Sequence, residues 1–427
     1  MLRWSGLNVA RVQVVACAQL ALFAGCSSRA APVASERAPE QSAPTVATAG
    51  GADGHETAAD AGTSGSRAAP AIAGRQTDSA GMRAVEQPPS PPAAGGGAGS
   101  AGAAGAGGDA GRSATVSQLC AAMITSAQAF IATLDTDALK TAVLQPFDER
   151  HKLAYEPQVA ERPGASFMML SESQKEKALA LVRAGLSEEG FEKAETVRAL
   201  ENNKAATGFQ INMRDPEYYW LAIYGEPSET GAWGWQLEGH HLALHFTLKA
   251  CAISDTPMFM GAWPAEVAVV AAGGPPVGSR NLAQEEELGR VLAKSLDADA
   301  TKRAQAFQAS AYRQMLPQGP NRAEPMMPAG LPGSAMNETE LMQLKAIVSY
   351  YASVVHPELA AARLQRIEQH GGFEKVSFVW TGALEPKQRH FYRIQGESFF
   401  IEYRNDDGNH IHSAWRDFEG DWGDDLP

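Results

Sequence analysis

Residues 27–112 contain no Leu, Phe, Tyr or Trp. Ala, Gly, Pro and Ser dominate there, as in Pro88-Pro89-Ser90-Pro91-Pro92 and the Ala/Gly stretch 95–108. Such a segment cannot bury enough apolar surface to offset the entropy of ordering it, so it is predicted to stay disordered. Its repeats are low-complexity sequence rather than a repeat fold. As a flexible coil it reaches roughly 50 Å, root mean square, which suits a tether. The 427-residue chain therefore has its foldable part in residues 113–427.

What precedes the tether reads as an address. Arg3 and Arg11 flank the start of an apolar run, 12–23, which ends in Ala24-Gly25-Cys26. This is the charged region, short apolar region and small-residue cleavage site of a secretory signal. The run is shorter than the roughly 20 residues that a spanning helix needs. Phe23-Ala24-Gly25-Cys26 resembles a bacterial lipobox. That resemblance implies a signal peptide over 1–25, lipidation of Cys26 and a tether over 26–112. More than one acyl chain would hold the protein stably on a membrane. Ser27 in place of Asp after the Cys points to the outer membrane where a cell has two. The plainer alternative is an ordinary secretory signal followed by a chance Cys.

The net charge is −13, from 36 Lys plus Arg and 49 Asp plus Glu. The signal carries two Arg and the tether six Arg against eight acids, which leaves −13 on residues 113–427. An acidic domain does not suit phosphate backbones, which excludes a general nucleic-acid binder. It also favours attachment to the membrane by lipid rather than by charge. Outside the cytosol Cys120 and Cys251 are able to pair, although two separate buried thiols fit the sequence as well.

Within the domain, Val116, Leu119, Met123, Ala127, Phe130 and Leu134 recur at helical spacing over 115–142. Ser171 with Gln174 is a capping-box pattern, and another helix follows Ser187. The period then changes. Residues 218–224 are aromatic and β-favouring, 231–234 look turn-like, and Gly239-His240-His241 is expected to open a strand through Leu248. Helices are predicted again over 282–296, 300–315, 337–355 and 357–369, with a Pro/Gly loop over 317–333. Residues 376–380, 391–394, 398–403 and 410–415 return to strand-like character. Helices and strands cluster instead of alternating. The expected fold is α+β, with a mostly antiparallel sheet shared by the two strand groups and helices packed around it.

Four runs stand in order: 231–242 (Gly-Ala-Trp-Gly-Trp-Gln-Leu-Glu-Gly-His-His-Leu), Pro257-Met258-Phe259-Met260-Gly261-Ala262, Tyr392-Arg393-Ile394-Gln395-Gly396, and 410–417 (His-Ile-His-Ser-Ala-Trp-Arg-Asp). Together with Phe147-Asp148-Glu149-Arg150, Tyr155 and 186–191, they resemble the bacterial family called domain of unknown function 3500. The resemblance spans residues 117 to 425. It implies a secreted or lipid-anchored domain and brings no established activity.

Five of the ten His fall in two short segments, as His240, His241 and His245, and as His410 and His412. Neutral imidazole is a common metal ligand. On a strand, residues two apart share a face at about 6.6 Å, whereas residues four apart are about 13 Å apart. His410 and His412 are thus able to share an ion, and His241 and His245 are not. Leu242, Leu244, Phe246 and Leu248 alternate with polar or small residues, which places His240 towards the core and His241 on the other face. The sharp expectation is a divalent-metal site of His241, His410 and His412, completed by Glu238 or Asp417, with an open position for water. The plain one is that these imidazoles bond to sheet carbonyls and carboxylates.

Arg416 is suited to hold a carboxylate or phosphate, and Glu238 and Asp417 are candidate acid/base groups. A structural Arg–Asp pair is the simpler account of Arg416 and Asp417. Trp233, Trp235 and Trp415 flank the His segments and would either line a glycan or small-molecule pocket or fill the core. Glu285-Glu286-Glu287 reads as a solvated helix face or as a partner of a helix dipole. No P-loop, dinucleotide fingerprint, Gly-x-Ser-x-Gly or His-Glu-x-x-His occurs. The expected protein is a membrane-anchored extracytoplasmic hydrolase of small molecules or glycans. The alternatives are a non-catalytic ligand-binding module and an envelope structural module.

Overall fold

The computed structural model describes residues 107–157, 162–207, 214–309, 323–326 and 330–427. The signal, Cys26 and nearly all of the tether lie outside them. The first helix, α1 (Gly107–Ile131), begins inside the stretch assigned to the tether. After α2 (Asp137–Val143), the short strands β1 (Leu144–Gln145) and β2 (Ala165–Ser166) precede α3 (Glu172–Gly185), α4 (Glu188–Ala199) and α5 (Lys204–Thr207). Strands β3 (Tyr219–Gly225), β4 (Ala232–Gly239), β5 (Leu242–Lys249), β6 (Ala252–Ser254) and β7 (Met258–Ala262) follow. Then come α6 (Ala283–Asp297), α7 (Ala300–Ala306), β8 (Leu331–Pro332), α8 (Glu338–Ala352) and α9 (Pro357–Gln369). The domain closes with β9 (Ser377–Gly382), β10 (His390–Gln395), β11 (Phe399–Asn405) and β12 (Ile411–Asp417).

Among the described residues, twelve strands form one sheet, whose main path runs β1-β3-β4-β5-β7-β12-β11-β10-β9-β8. Every pairing is antiparallel except β1 with β3, so the expected α+β class holds. The predicted capping box at Ser171 and Gln174 is present, and a second one joins Asn337 to Glu340. Three local expectations change. Residues 232–234 belong to β4 rather than to a turn, because Trp233 and Trp235 are paired and buried. His240 and His241 form the two-residue turn between β4 and β5 instead of opening a strand. The helix expected over 300–315 ends at Ala306, and the residues from 310 lie outside the described ones.

The helices pack against one face of the sheet. Leu221, Trp235, Leu244, Met260, Tyr392, Tyr403 and Trp415 join their side chains in one core. On the opposite face Ala243, Phe259, Phe400 and Ala414 pack under Leu153, Tyr155 and Trp422. Cys120 and Cys251 form a disulfide that ties α1 to the turn between β5 and β6. Among the described residues, no helix is long and apolar enough to cross a membrane.

The same sub-fold occurs twice. In one half the register runs Leu221–Leu237, Leu237–Leu244, Leu244–Met258 across β3-β4-β5-β7. In the other it runs Phe378–Ile394, Ile394–Ile401, Ile401–Trp415 across β9-β10-β11-β12, with identical spacings along the chain. Residue 221 thus corresponds to 378, and so on through both sets of strands. The halves meet where Met258 pairs with Trp415, its own counterpart. Ahead of the strands, Gly164 and Gly330 have φ values of 102° and 104°. A Cβ at either would lie 2.3 or 2.2 Å from the carbonyl oxygen of Leu221 or Phe378, which are themselves counterparts. Only glycine fits such a contact and such a φ. A further antiparallel bridge joins Leu186 to Val355, at the entries to α4 and α9.

Candidate metal centre

The site is assembled from the β4–β5 turn and the start of β12. His241 has a left-handed φ of 63°. A non-glycine residue holds that conformation only where its surroundings fix it. Here its amide donates to the Tyr155 carbonyl at 2.9 Å, and its own carbonyl accepts from Gly261 N at 2.7 Å. His412 lies in register with Gly261, and His410 precedes the strand by one residue. A Cβ on Gly261 would approach His241 Cδ2 to 2.8 Å, so the missing side chain makes room for the ring.

These constraints bring three Nε2 atoms together. His241 Nε2 lies 2.9 Å from His410 Nε2 and 3.1 Å from His412 Nε2. All three fall within 4.8 Å of one another. Zinc–nitrogen bonds of about 2.0–2.1 Å at tetrahedral angles place ligand nitrogens about 3.3 Å apart. An ion would need the two short contacts to open by a few tenths of an ångström and the His410 and His412 nitrogens to stand about 3.3 Å apart as well. Burial lowers all three imidazole pKa values: His410 to about 4, and His241 and His412 well below the usual histidine range, with the neighbouring imidazoles adding to the effect. All three are neutral at pH 7. Facing nitrogens that carry lone pairs and at most one shared proton are the donor set a cation requires.

The walls are aromatic. Trp263 stacks on His410 with centroids 4.5 Å apart and planes 7° from parallel. Phe259 and Tyr155 flank His412 at 5.5 and 6.0 Å. His240 stacks beneath His241 at 3.9 Å and is a satisfied buried residue, with Nδ1 2.8 Å from Glu201 Oε1. Asp406 Oδ2 lies 3.9 Å from His412 Nδ1 and bonds to Arg404.

The family profile for a protein of unknown function, DUF3500, matches residues 117–424. The chain belongs to the DUF3500 family. No curated protein and no solved structure matches it.

Within this DUF3500 domain the other predicted site residues stand apart from the triad. Glu238 is fully buried, and it accepts from Ala154 N at 2.9 Å and lies 3.0 Å from His245 Nε2. Arg416 is four residues along β12 from His412, about 13 Å on a strand, and pairs with Asp421. Asp417 faces the helices, where it accepts from Arg366 at 2.6 Å and from Trp415 Nε1 at 3.0 Å. None of these carboxylates completes the cluster, because each is held in its own network. Trp233 and Trp235 are at most 1% exposed and belong to the core on the helix-covered face. Glu285 and Glu286 are buried at the start of α6 rather than solvated.

The sequence reading did not single out Trp263, Gly261, Tyr155 or Asp406 as parts of the site. The run Pro257–Ala262 was its nearest signal. The cluster spans the seam between the halves, and its symmetry-related positions carry no such set: Ser398, Ile253 and Asp255 stand at the counterparts of His241, His410 and His412.

Proposed function

We propose that this chain is a lipid-anchored extracytoplasmic hydrolase, acting on small molecules or glycans with a divalent metal held by His241, His410 and His412. The convergence of three neutral Nε2 atoms carries the reading. The ion would supply Lewis acidity and lower the pKa of a bound water. The chain's own contribution is orientation. Trp263 holds the His410 ring in its plane, the His241 backbone is pinned on both sides, and Asp406 stands beside His412 Nδ1. At 3.9 Å Asp406 is beyond hydrogen-bond length from His412 and acts on it through its charge. Burial of His241 keeps bulk water from one side, while the partly exposed His410 and His412 leave the other open. The Cys120–Cys251 disulfide fits an oxidising compartment, as the signal-like N-terminus does.

Elemental analysis of the purified protein tests the reading. About one equivalent of zinc, or of another divalent transition metal, is expected. A chelator should lower Tm, and His241→Ala or His412→Ala should abolish retention. Metal-free protein whose melting ignores both chelator and added zinc would overturn it.

A further inference from the structure

Two of the three clustered imidazoles are carried outside the strands. His412 lies within β12, paired with Arg404 on one side and Gly261 on the other. His241 lies in the β4–β5 turn, and His410 precedes β12. Each of these two rings leans on an aromatic neighbour. His241 stacks on His240 with centroids 3.9 Å apart, and His410 on Trp263 at 4.5 Å.

Both neighbours are tied to one buried ion pair. Glu201, in the helical turn Leu200–Asn203 after α4, accepts from His240 Nδ1 at 2.8 Å. Arg214, ahead of β3, donates to both oxygens of that carboxylate, from Nε at 3.2 Å and from Nη2 at 3.3 Å. Its Nη2 also donates to the Trp263 carbonyl at 2.6 Å, and its guanidinium stands 5.4 Å from the centre of the Trp263 ring. Arg214 and Glu201 are fully buried. A buried ion pair is an inefficient source of stability, because apolar residues of similar volume often serve as well or better. The matching hairpin in the other half closes without one: the counterpart of His240 is Glu397, which is exposed and lies 3.5 Å from Lys375.

We infer that Arg214 and Glu201 are positioning residues for the histidine cluster. One arm runs from Glu201 through His240 to the His241 ring, the other from Arg214 through Trp263 to the His410 ring. The pair touches no ion itself. It holds two imidazoles that strand pairing leaves unfixed against the one that strand pairing does fix. The purpose of the brace rests on the metal reading above, while its geometry stands apart from it.

The test compares wild type with the double variant Glu201→Met/Arg214→Met, which removes both charges together and leaves neither buried alone. Zinc affinity, measured by competition with a chromophoric chelator, should fall at least tenfold. Crystal structures of the metal-free proteins should show the His241 and His410 rings displaced in the variant, with the 3.0 Å contact of His245 and Glu238 kept. His240→Leu cuts one arm and leaves the ion pair intact, so it remains informative should the double variant not fold. It should displace His241 and leave His410 stacked on Trp263. Lys193→Met/Glu285→Met removes another buried ion pair, of 2.6 Å, and should leave zinc affinity within twofold of wild type. Rings that keep their wild-type positions in the variants would overturn the inference, as would unchanged zinc affinity or an equal loss in the Lys193/Glu285 variant. Wild type that binds no zinc would remove the metal reading, and the ring positions alone would then decide whether the brace exists.

Discussion

Gly261 lies against the His241 ring, leaving no room for a side chain between β7 and the turn that carries the imidazole. The counterpart of Gly261 in the other half is Phe418, and the counterpart of His241 is Ser398. The same backbone bond is present at both places, from Gly261 N to the His241 carbonyl and from Phe418 N to the Ser398 carbonyl. A bulky residue thus stands over a small one in one half, and the order is reversed in the other. Gly261→Ala should displace His241 and weaken zinc binding at least tenfold. It also approaches the Ile411 carbonyl at 2.8 Å, so some stability should be lost whatever occupies position 241. A double-mutant cycle with His241→Ala separates the two effects. The variants should couple by about 0.5–3 kcal/mol, and strict additivity would contradict the packing relationship.

Glu238 tests whether a buried acid serves chemistry or architecture. It satisfies the Ala154 amide and lies beside His245 and Gln236. Its counterpart Gln395 performs the equivalent task, accepting from Met326 N and donating to the Met326 carbonyl. Glu238→Gln should therefore cost about 1 kcal/mol or less, whereas Glu238→Ala strands a buried donor and should cost about 1–3 kcal/mol. Metal retention should survive Glu238→Gln. Loss of metal with the fold intact would return Glu238 to the site.

Much of this was legible in residue order, and the limits have physical causes. Helix starts were readable because Ser171 with Gln174 and Asn337 with Glu340 satisfy local amides with local side chains. His410 and His412 could be placed on one face because strand geometry has a period of two. The position of His241 depended on a turn, and residues 232–234 look turn-like in sequence because a strand buried on both faces does not alternate. The duplication was hidden because spacing persisted while side chains diverged. Gly164 and Gly330, Gly225 and Gly382, and Gly239 and Gly396 recur, but the sheet tolerates Trp233 for His390 and Phe246 for Tyr403. Glu238 looked like a free acid because its partner, Ala154, lies 84 residues earlier in the chain.

The Cys120–Cys251 disulfide closes a loop with a sequence separation of 131. Loops near that length stabilise by roughly 4–5 kcal/mol in the chain-entropy account, with measured values often lower. Cys120→Ala combined with Cys251→Ala should lower the urea midpoint by an amount equivalent to about 2–5 kcal/mol. Reductant should do the same to the wild type and do nothing further to the double variant. An unchanged midpoint under reductant would show that the bond contributes no stability.

His390 predicts a particular acid sensitivity. Burial between α6 and the sheet lowers its pKa to about 4, while the bond from its Nδ1 to the Gln388 carbonyl and the nearby Arg290 make smaller contributions. The unfolded chain, with a histidine pKa of about 6.5, binds more protons than the native state between those two values. Stability from this group is then fully present above about pH 6.5, declines as the pH falls, and levels off below about 4. The loss is on the order of 3 kcal/mol for the whole window. His241, His410 and His412 have depressed pKa values too, so the wild type alone does not isolate His390. The informative quantity is the difference between pH 7.5 and pH 5 in unfolding free energy, compared between wild type and His390→Phe. The variant, which has no proton to bind at that position, should lose less on acidification by about 1–2 kcal/mol. Equal losses would mean that His390 titrates normally, and that water reaches it more freely than its burial allows.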